Sequence, residues 1–167
     1  MKDSSATLSR PPRHQPVFVI ARWILGALFV YMGLIKALHP VDFLKILRQY
    51  DMIESHVVLN FVAATLPWFE VLCGLLLLGG VAVRGSALLL TAMLVPFTIA
   101  VLRRTLAIHA AKVIPFCAIR FDCGCGAGEV IICHKLLENS LLMLLALLLL
   151  LSSDSRWCLR HNLVLPS

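Results

Sequence analysis

The chain has 167 residues, of which 60% are hydrophobic and only 14% are charged. A water-soluble domain is typically ~45–50% apolar and ~25% charged, so this composition excludes an ordinary soluble domain and indicates a membrane protein. The formal net charge is +6. It does not indicate nucleic acid binding, because the Lys and Arg residues flank apolar blocks and form no basic patch interleaved with aromatic residues.

Four apolar blocks predict an all-α bundle of four transmembrane helices. The predicted spans cover residues 17–38, 57–78, 85–102 and 136–152. Between the first and second spans, residues 40–56 carry apolar side chains at helical spacing among charged ones. This pattern predicts a short amphipathic helix on the membrane surface.

The membrane domain is predicted to cover residues 17–152, followed by a short tail at 153–167. Residues 1–16 are polar and proline-rich, which predicts a disordered cytoplasmic segment. Lys and Arg residues divide equally between the two sides of the bundle, but the basic segment before the first span favours cytoplasmic termini. This orientation places the loop between the third and fourth spans outside the cytoplasm, where disulfides persist.

That extracytoplasmic loop is rich in cysteine, with Cys117, Cys123, Cys125 and Cys133. Only Gly124 separates Cys123 from Cys125, and an extended chain would place their Cα atoms ~7 Å apart, whereas a disulfide requires ~4.4–6.8 Å. A disulfide would therefore need a bend at Gly124 and would be strained, and strained disulfides are readily reduced. We interpret Cys123 and Cys125 as an exchangeable dithiol/disulfide pair and as the candidate catalytic residues.

Cys117 and Cys133 flank this pair, and two interpretations of them remain open. They form either a second exchangeable pair, which would relay electrons, or a staple that holds the loop together. A zinc or copper site is the alternative for the whole cluster, because thiolates and imidazole bind these metals. Its ligands would be Cys117, Cys123, Cys125, Cys133 and His134, although zinc sites usually carry paired C-x₂₋₄-C units, which this loop lacks.

Glu70 is the one charged residue of the second span. A carboxylate inside a membrane span usually faces the bundle and has a partner, and we expect Lys36 of the first span to form this intramembrane ion pair. The pair either fixes helix packing or serves in a proton relay. Alternatively, Glu70 and Trp68 form a cofactor pocket of the kind that binds a quinone. Cys73 is interpreted as a small packing residue.

Taken together, these residues resemble the MauE/DoxX group of redox-associated membrane proteins, and most closely its methylamine-utilisation branch, MauE. The resemblance covers roughly residues 17–152. It is carried by Gly33-Leu34-Ile35-Lys36, Pro67-Trp68-Phe69-Glu70, Gly74, Gly79-Gly80, Arg84 and Asp122-Cys123-Gly124-Cys125-Gly126. The Cys-Gly-Cys motif of the family falls on Cys123 and Cys125 and its intramembrane pair on Lys36 and Glu70, whereas Cys117 and Cys133 lie outside the motif.

The resemblance implies a four-helix protein of the bacterial inner membrane that supports disulfide formation or maturation in periplasmic partners, as in methylamine dehydrogenase maturation. The implied partners are the lipid bilayer and periplasmic thiol/disulfide proteins, and thiol–disulfide oxidoreductase is the candidate enzyme class. A quinone is the candidate electron acceptor, although no sequence motif identifies it. The alternatives are a non-catalytic subunit or scaffold of a larger membrane complex and a metal-handling membrane protein.

Overall fold

A computed structural model describes residues 15–112, 114–124 and 128–151 of the chain, which are mostly helical. This part contains five α-helices: α1 (Gln15–Leu38), α2 (Pro40–Gln49), α3 (His56–Gly79), α4 (Val83–Lys112) and α5 (Ile132–Leu151). A 3-10 turn (Phe116–Ala118) and an antiparallel ribbon of β1 (Arg120–Asp122) and β2 (Glu129–Ile131) connect α4 to α5. Most of the predicted disordered segment and all of the predicted tail lie outside the described residues.

Four of these helices, α1, α3, α4 and α5, are long and apolar enough to cross a membrane. The shortest has 20 residues and the longest 30, which corresponds to about 30–45 Å of helix against ~30 Å of hydrocarbon in a bilayer. Their outward faces expose many large apolar side chains, and contiguous apolar surface of this kind marks contact with a membrane or a partner. The chain is therefore a multi-pass membrane protein.

Glycines bring α1 and α3 into close contact. A Cβ atom added at Gly74 would lie 2.7 Å from the carbonyl oxygen of Gly26, and one added at Gly33 would lie 2.8 Å from the carbonyl oxygen of Pro67. Such close approach supports association in lipid, where helices gain no hydrophobic stabilisation from leaving water. Between this pair and the closely packed pair of α4 and α5 lies a core of buried side chains, including Leu25, Leu77, Leu90, Ala146 and Leu149.

The bounds of α4 and α5 differ most from the predicted spans. α4 continues past residue 102 to Lys112 because charged residues do not break a helix, and the next helix-breaking residue is Pro115. α5 begins at Ile132 rather than residue 136, so Cys133 and Lys135 belong to its first turn. The cysteine-rich connection therefore runs between Lys112 and Ile132 and contains the β1–β2 ribbon.

α2 is shorter than the amphipathic helix predicted over residues 40–56, and it packs onto the end of the bundle. Its buried face carries Phe43. On its exposed face, Lys45 Nζ lies 3.0 Å from Asp42 Oδ1, and this hydrogen bond and the charge of Lys45 lower the pKa of Asp42. α2 therefore covers the same end of the bundle as the ribbon, opposite the short α3–α4 turn.

Candidate functional site

A disulfide between Cys117 and Cys133 closes the base of the loop. The two Cα atoms are 5.1 Å apart. Cys117 lies in the 3-10 turn with an exposed side chain, whereas Cys133 is the second residue of α5 and is half-buried. The bond therefore ties the start of the loop to the start of α5. A bond that only holds the loop together and a second exchangeable pair would both show this disulfide, so its presence does not distinguish the two interpretations.

Cys123 follows β1, and its side chain has 0% exposed surface. It packs in a buried cluster with Val101, Ile119 and Ile132. The hydroxyl group of Tyr50, the residue that follows α2, donates a hydrogen bond of 2.8 Å to the carbonyl oxygen of Cys123. The loop therefore holds Cys123 against both α2 and the bundle, while Cys125 lies outside the described residues.

Gly124 makes the turn that follows Cys123. Its φ is +79°, in the left-handed region, and its N–H donates a hydrogen bond of 2.9 Å to Asp122 Oδ1. A Cβ atom added to Gly124 would lie 3.0 Å from Cγ2 of Ile46 in α2. Glycine is thus favoured at this position for two reasons: the left-handed backbone conformation and the close contact with α2.

We expect Gly124→Ala to loosen the contact between the loop and α2. The left-handed backbone costs a non-glycine residue about 1–2 kcal/mol, and the added methyl group would meet Ile46. The expected result is faster alkylation of Cys123 by iodoacetamide in the purified, reduced protein, measured by peptide mass spectrometry.

The matched control is Gly128→Ala, because Gly128 also has a left-handed φ of +71° but has nothing within 4 Å of an added Cβ atom. The backbone cost is thus similar in the two variants, and only the contact with α2 differs. Equal alkylation rates of Cys123 in the two variants would show that packing against α2 does not protect this thiol.

Lys36 and Glu70 form a buried ion pair between α1 and α3. Lys36 Nζ lies 2.7 Å from Oε1 and 2.8 Å from Oε2 of Glu70, and each side chain is 8% exposed. The ammonium group also faces the rings of Phe43 and Phe97, at 5.5 and 5.9 Å from their centroids. Gly33 permits this geometry, since an added Cβ atom there would lie 2.9 Å from Cβ of Glu70.

A cavity of ≈ 60 Å³ lies beside this ion pair. Lys36, Glu70, Lys135 and Asn139 contribute polar groups to its wall, and Phe97 is one of its apolar residues. At roughly 15 Å³ for each water, the cavity has room for about four waters, but it is much smaller than the ~150 Å³ that accommodates benzene in an engineered cavity. The cavity as it stands in this conformation is therefore of a size that suits a few waters.

A second cavity, of ≈ 140 Å³, lies between the loop and the ends of α1 and α2. Asp122 and Gly124 contribute its loop side. Lys36 and Phe43 line both cavities. These two side chains therefore separate the cysteine loop from the polar interior of the bundle.

Lys135 and Asn139 are polar cavity residues that are missing from the predicted site. Both are buried; Lys135 Nζ lies 3.1 Å from Glu138 Oε2, and Asn139 Nδ2 lies 3.4 Å from Thr98 Oγ1. Residues four positions apart lie on one face of a helix. Two polar residues at this four-residue spacing, directly before the leucine-rich part of α5, are therefore the sequence signal that could have identified them.

The structure does not bring Trp68 to the cavity beside Glu70. Trp68 is 60% exposed and does not line that cavity, because residues two positions apart lie on roughly opposite sides of a helix. For the metal alternative, His134 is exposed, and Cys117 and Cys133 are joined to each other. Among residues 15–112, 114–124 and 128–151, no three metal-binding side chains lie together.

Comparison with known proteins gave one result. The family model described as methylamine utilisation protein MauE matches residues 14–152. The match includes both the helices of the ion pair and the cysteine loop. The chain matches no curated protein and no solved structure.

Proposed function

The chain belongs to the MauE family of membrane proteins involved in methylamine utilisation, and on this premise we propose that it supports thiol–disulfide exchange with periplasmic proteins. One observation carries the proposal: the loop that contains the buried Cys123 is closed by a disulfide, Cys117–Cys133, of which Cys117 is exposed. Methylamine dehydrogenase, whose small subunit is rich in disulfides, is the partner that the family resemblance implies.

Thiol–disulfide exchange needs no bound cofactor for the step itself. A thiolate of the partner attacks a disulfide sulfur, a mixed disulfide forms, and the partner's second thiol resolves it. The partner gains a disulfide, and the loop gains two thiols. In this proposal, Cys123 and Cys125 are the exchangeable pair of the loop, and the protein acts as a thiol–disulfide oxidoreductase.

The proposal places the loop and α2 on the periplasmic side of the bacterial inner membrane, with both termini in the cytoplasm. The Cys117–Cys133 bond supports this orientation, because disulfides persist outside the cytoplasm and are rare within it. The Lys36–Glu70 pair then lies towards the periplasmic end of the bundle, beneath Phe43. We assign the pair the role of holding α1, α2 and α3 in the arrangement that supports the loop.

Sustained oxidation of partners requires an electron acceptor, and the sequence suggests a membrane quinone. The cavity beside Glu70 is smaller than one that accommodates benzene, and Trp68 does not line it. The proposal therefore assigns no quinone site to these residues and includes no step through a quinone.

Thiol trapping in intact cells tests the location and the redox state of the loop. We expect a membrane-impermeant, mass-tagging maleimide to add tags at Cys117, Cys123, Cys125 and Cys133 only after mild reduction. Cys158, in the tail placed in the cytoplasm by this orientation, provides the control and should be labelled only after lysis. Loop labelling without reduction would contradict an oxidant role, and loop labelling restricted to lysed cells would reverse the orientation.

The redox state of the partner's cysteines, measured in the same cells, tests the proposed function. We expect Cys123→Ser/Cys125→Ser to leave the cysteines of the methylamine dehydrogenase small subunit reduced, measured as a maleimide mass shift. Cys73→Ser is the matched control, because Cys73 is buried in the bundle core and not in a disulfide. An oxidised small subunit in the double variant would overturn the proposal and favour the scaffold alternative.

A further inference from the structure

We propose that the cavity beside the Lys36–Glu70 pair is a binding site for a small cluster of waters, which bridges the carboxylate of Glu70 in α3 to the amide of Asn139 in α5, and that this water is supplied from the side of the bundle that carries the cysteine loop. The site belongs to the polar interior of the bundle. It does not depend on thiol–disulfide exchange.

The side chain of Asn139 has too few protein partners for a buried amide. The residue is 1% exposed, and an amide carries donors and acceptors for several hydrogen bonds. In the part of the chain that the structure describes, this side chain makes one hydrogen bond, from Nδ2 to Thr98 Oγ1 at 3.4 Å. Buried polar groups are nearly always hydrogen-bonded to protein or to ordered water. Because Asn139 lines the cavity, water there supplies the bonds that the protein does not.

The ion pair places further hydrogen-bonding groups on the same wall of the cavity. Glu70 accepts two N–H donors of Lys36, at 2.7 and 2.8 Å, and a carboxylate has room for further donors. Ionisable groups within membrane spans usually face the bundle interior or a water-filled cavity. The volume of ≈ 60 Å³ has room for about four waters, so the cavity holds enough water to connect Glu70 with Asn139.

The two ends of this cavity differ in what separates them from bulk water. Towards the loop, the second cavity of ≈ 140 Å³ is lined by the exposed residues His39 and Asp42. Lys36 and Phe43 are the two residues that line both cavities. Towards the α3–α4 turn, the interior is filled by fully buried leucines, namely Leu25, Leu77, Leu90 and Leu149. The loop side is therefore the side from which water reaches Glu70.

A water bridge at this position also joins the two halves of the bundle. α1 packs closely against α3, and α4 packs closely against α5. Glu70 belongs to the first of these helix pairs and Asn139 to the second. Water between the two side chains thus adds polar contacts between the halves, and it gives the carboxylate of Glu70 a path for proton exchange with one side of the membrane.

Hydroxyl-radical footprinting of the full-length protein in lipid nanodiscs tests whether the cavity holds water, because radicals formed from bound water oxidise the side chains beside it. Met93 lines the cavity, whereas Met143 is also half-buried but packs on the apolar core. We expect Met93 to be oxidised about fivefold or more faster than Met143, since polar cavities hold water and apolar interiors stay dry. Equal oxidation rates of the two methionines would overturn the proposal.

The stability of Asn139→Leu tests the bridge, because leucine has the branching of asparagine but no polar atom. We expect unfolding at a lower fraction of dodecyl sulfate in mixed micelles, since the waters lose a partner. Ser86→Ala is the comparison: among the described residues, Ser86 Oγ is buried without a hydrogen-bond partner, and it lies near the α3–α4 turn. Its loss should leave the unfolding midpoint unchanged or raise it. An unchanged or higher midpoint for Asn139→Leu would overturn the bridge.

Isotope exchange tests the side from which the water is supplied. Phe97 also lines the cavity, and hydroxylation of its ring retains the oxygen of the attacking radical. After rapid mixing with water that carries a heavy oxygen isotope, we expect the label to appear in Phe97 several-fold faster in Phe43→Ala than in the unaltered protein. Leu25→Ala, which removes a buried side chain from the apolar core, should not accelerate it. Equal acceleration in both variants, or none in Phe43→Ala, would overturn supply from the loop side.

Discussion

Replacing Glu70 with leucine is expected to destabilise the bundle by about 3–5 kcal/mol, because the change leaves the Lys36 ammonium group buried without its counter-charge. In the native protein this ammonium lies within 2.8 Å of both carboxylate oxygens of Glu70. The rings of Phe43 and Phe97 remain beside it in the variant, but a cation–π contact contributes only about 0.5–2 kcal/mol. The measurement is the unfolding free energy of the purified protein in mixed micelles of mild detergent and dodecyl sulfate.

Two control variants isolate the unpaired charge as the cause. Lys36→Met/Glu70→Leu is expected to recover most of the lost stability, because apolar replacement of both partners of a buried pair is often neutral or stabilising. Asp42→Asn is expected to change stability little, since Asp42 and Lys45 form an exposed pair. If the double variant were as unstable as Glu70→Leu, lost packing or altered hydration of the cavity would be the cause instead.

Gly74→Ala is expected to force α1 and α3 apart and to cost about 1–3 kcal/mol, the range for an overpacked core. The new methyl carbon would lie 2.7 Å from the carbonyl oxygen of Gly26 and 2.9 Å from the backbone nitrogen of Val30. Backbone atoms cannot move aside as a flexible side chain can, so the helices must separate. The same unfolding assay measures the loss, and the yield of folded protein provides a second readout.

Gly85→Ala is the matched control for this substitution. Gly85 also lies within a membrane-spanning helix, but an added Cβ atom there would have nothing within 4 Å. Because Gly85 lies in the first turn of α4, alanine there is expected to be neutral or to stabilise by no more than the about 0.5–1 kcal/mol of a helix interior. Equal effects of the two substitutions would contradict the view that backbone contact at Gly74 holds α1 and α3 together.

The four membrane-length helices and the family could both be predicted from the sequence, for different reasons. Long apolar blocks have few structural solutions other than membrane spans, and the structure has four helices of that length and composition. The predicted resemblance to MauE depended on the order of short motifs, and the match over residues 14–152 confirms it. Lys36 and Glu70 could be paired in advance because a charged residue inside an apolar span has few partners available.

Other parts of the site depend on tertiary contacts that the sequence pattern does not show. The hydrogen bond from Tyr50 to Cys123 joins residues 73 positions apart, and no local pattern indicates which face of α2 meets the loop. Lys135 lies just before the apolar block that predicts the last span, yet it is buried in the first turn of α5. The volume of the cavity beside Glu70 likewise follows from packing and not from composition.

The buried ion pair also constrains how the chain enters the membrane during synthesis. Lys36 lies in the last turn of α1, where a long side chain can extend its ammonium group to the interface. Glu70 lies near the middle of α3 and has no such route, so its entry into lipid alone would carry the cost of an isolated carboxylate. We therefore expect α3 to insert more favourably beside an α1 that is already in place, because Lys36 then supplies the partner of Glu70.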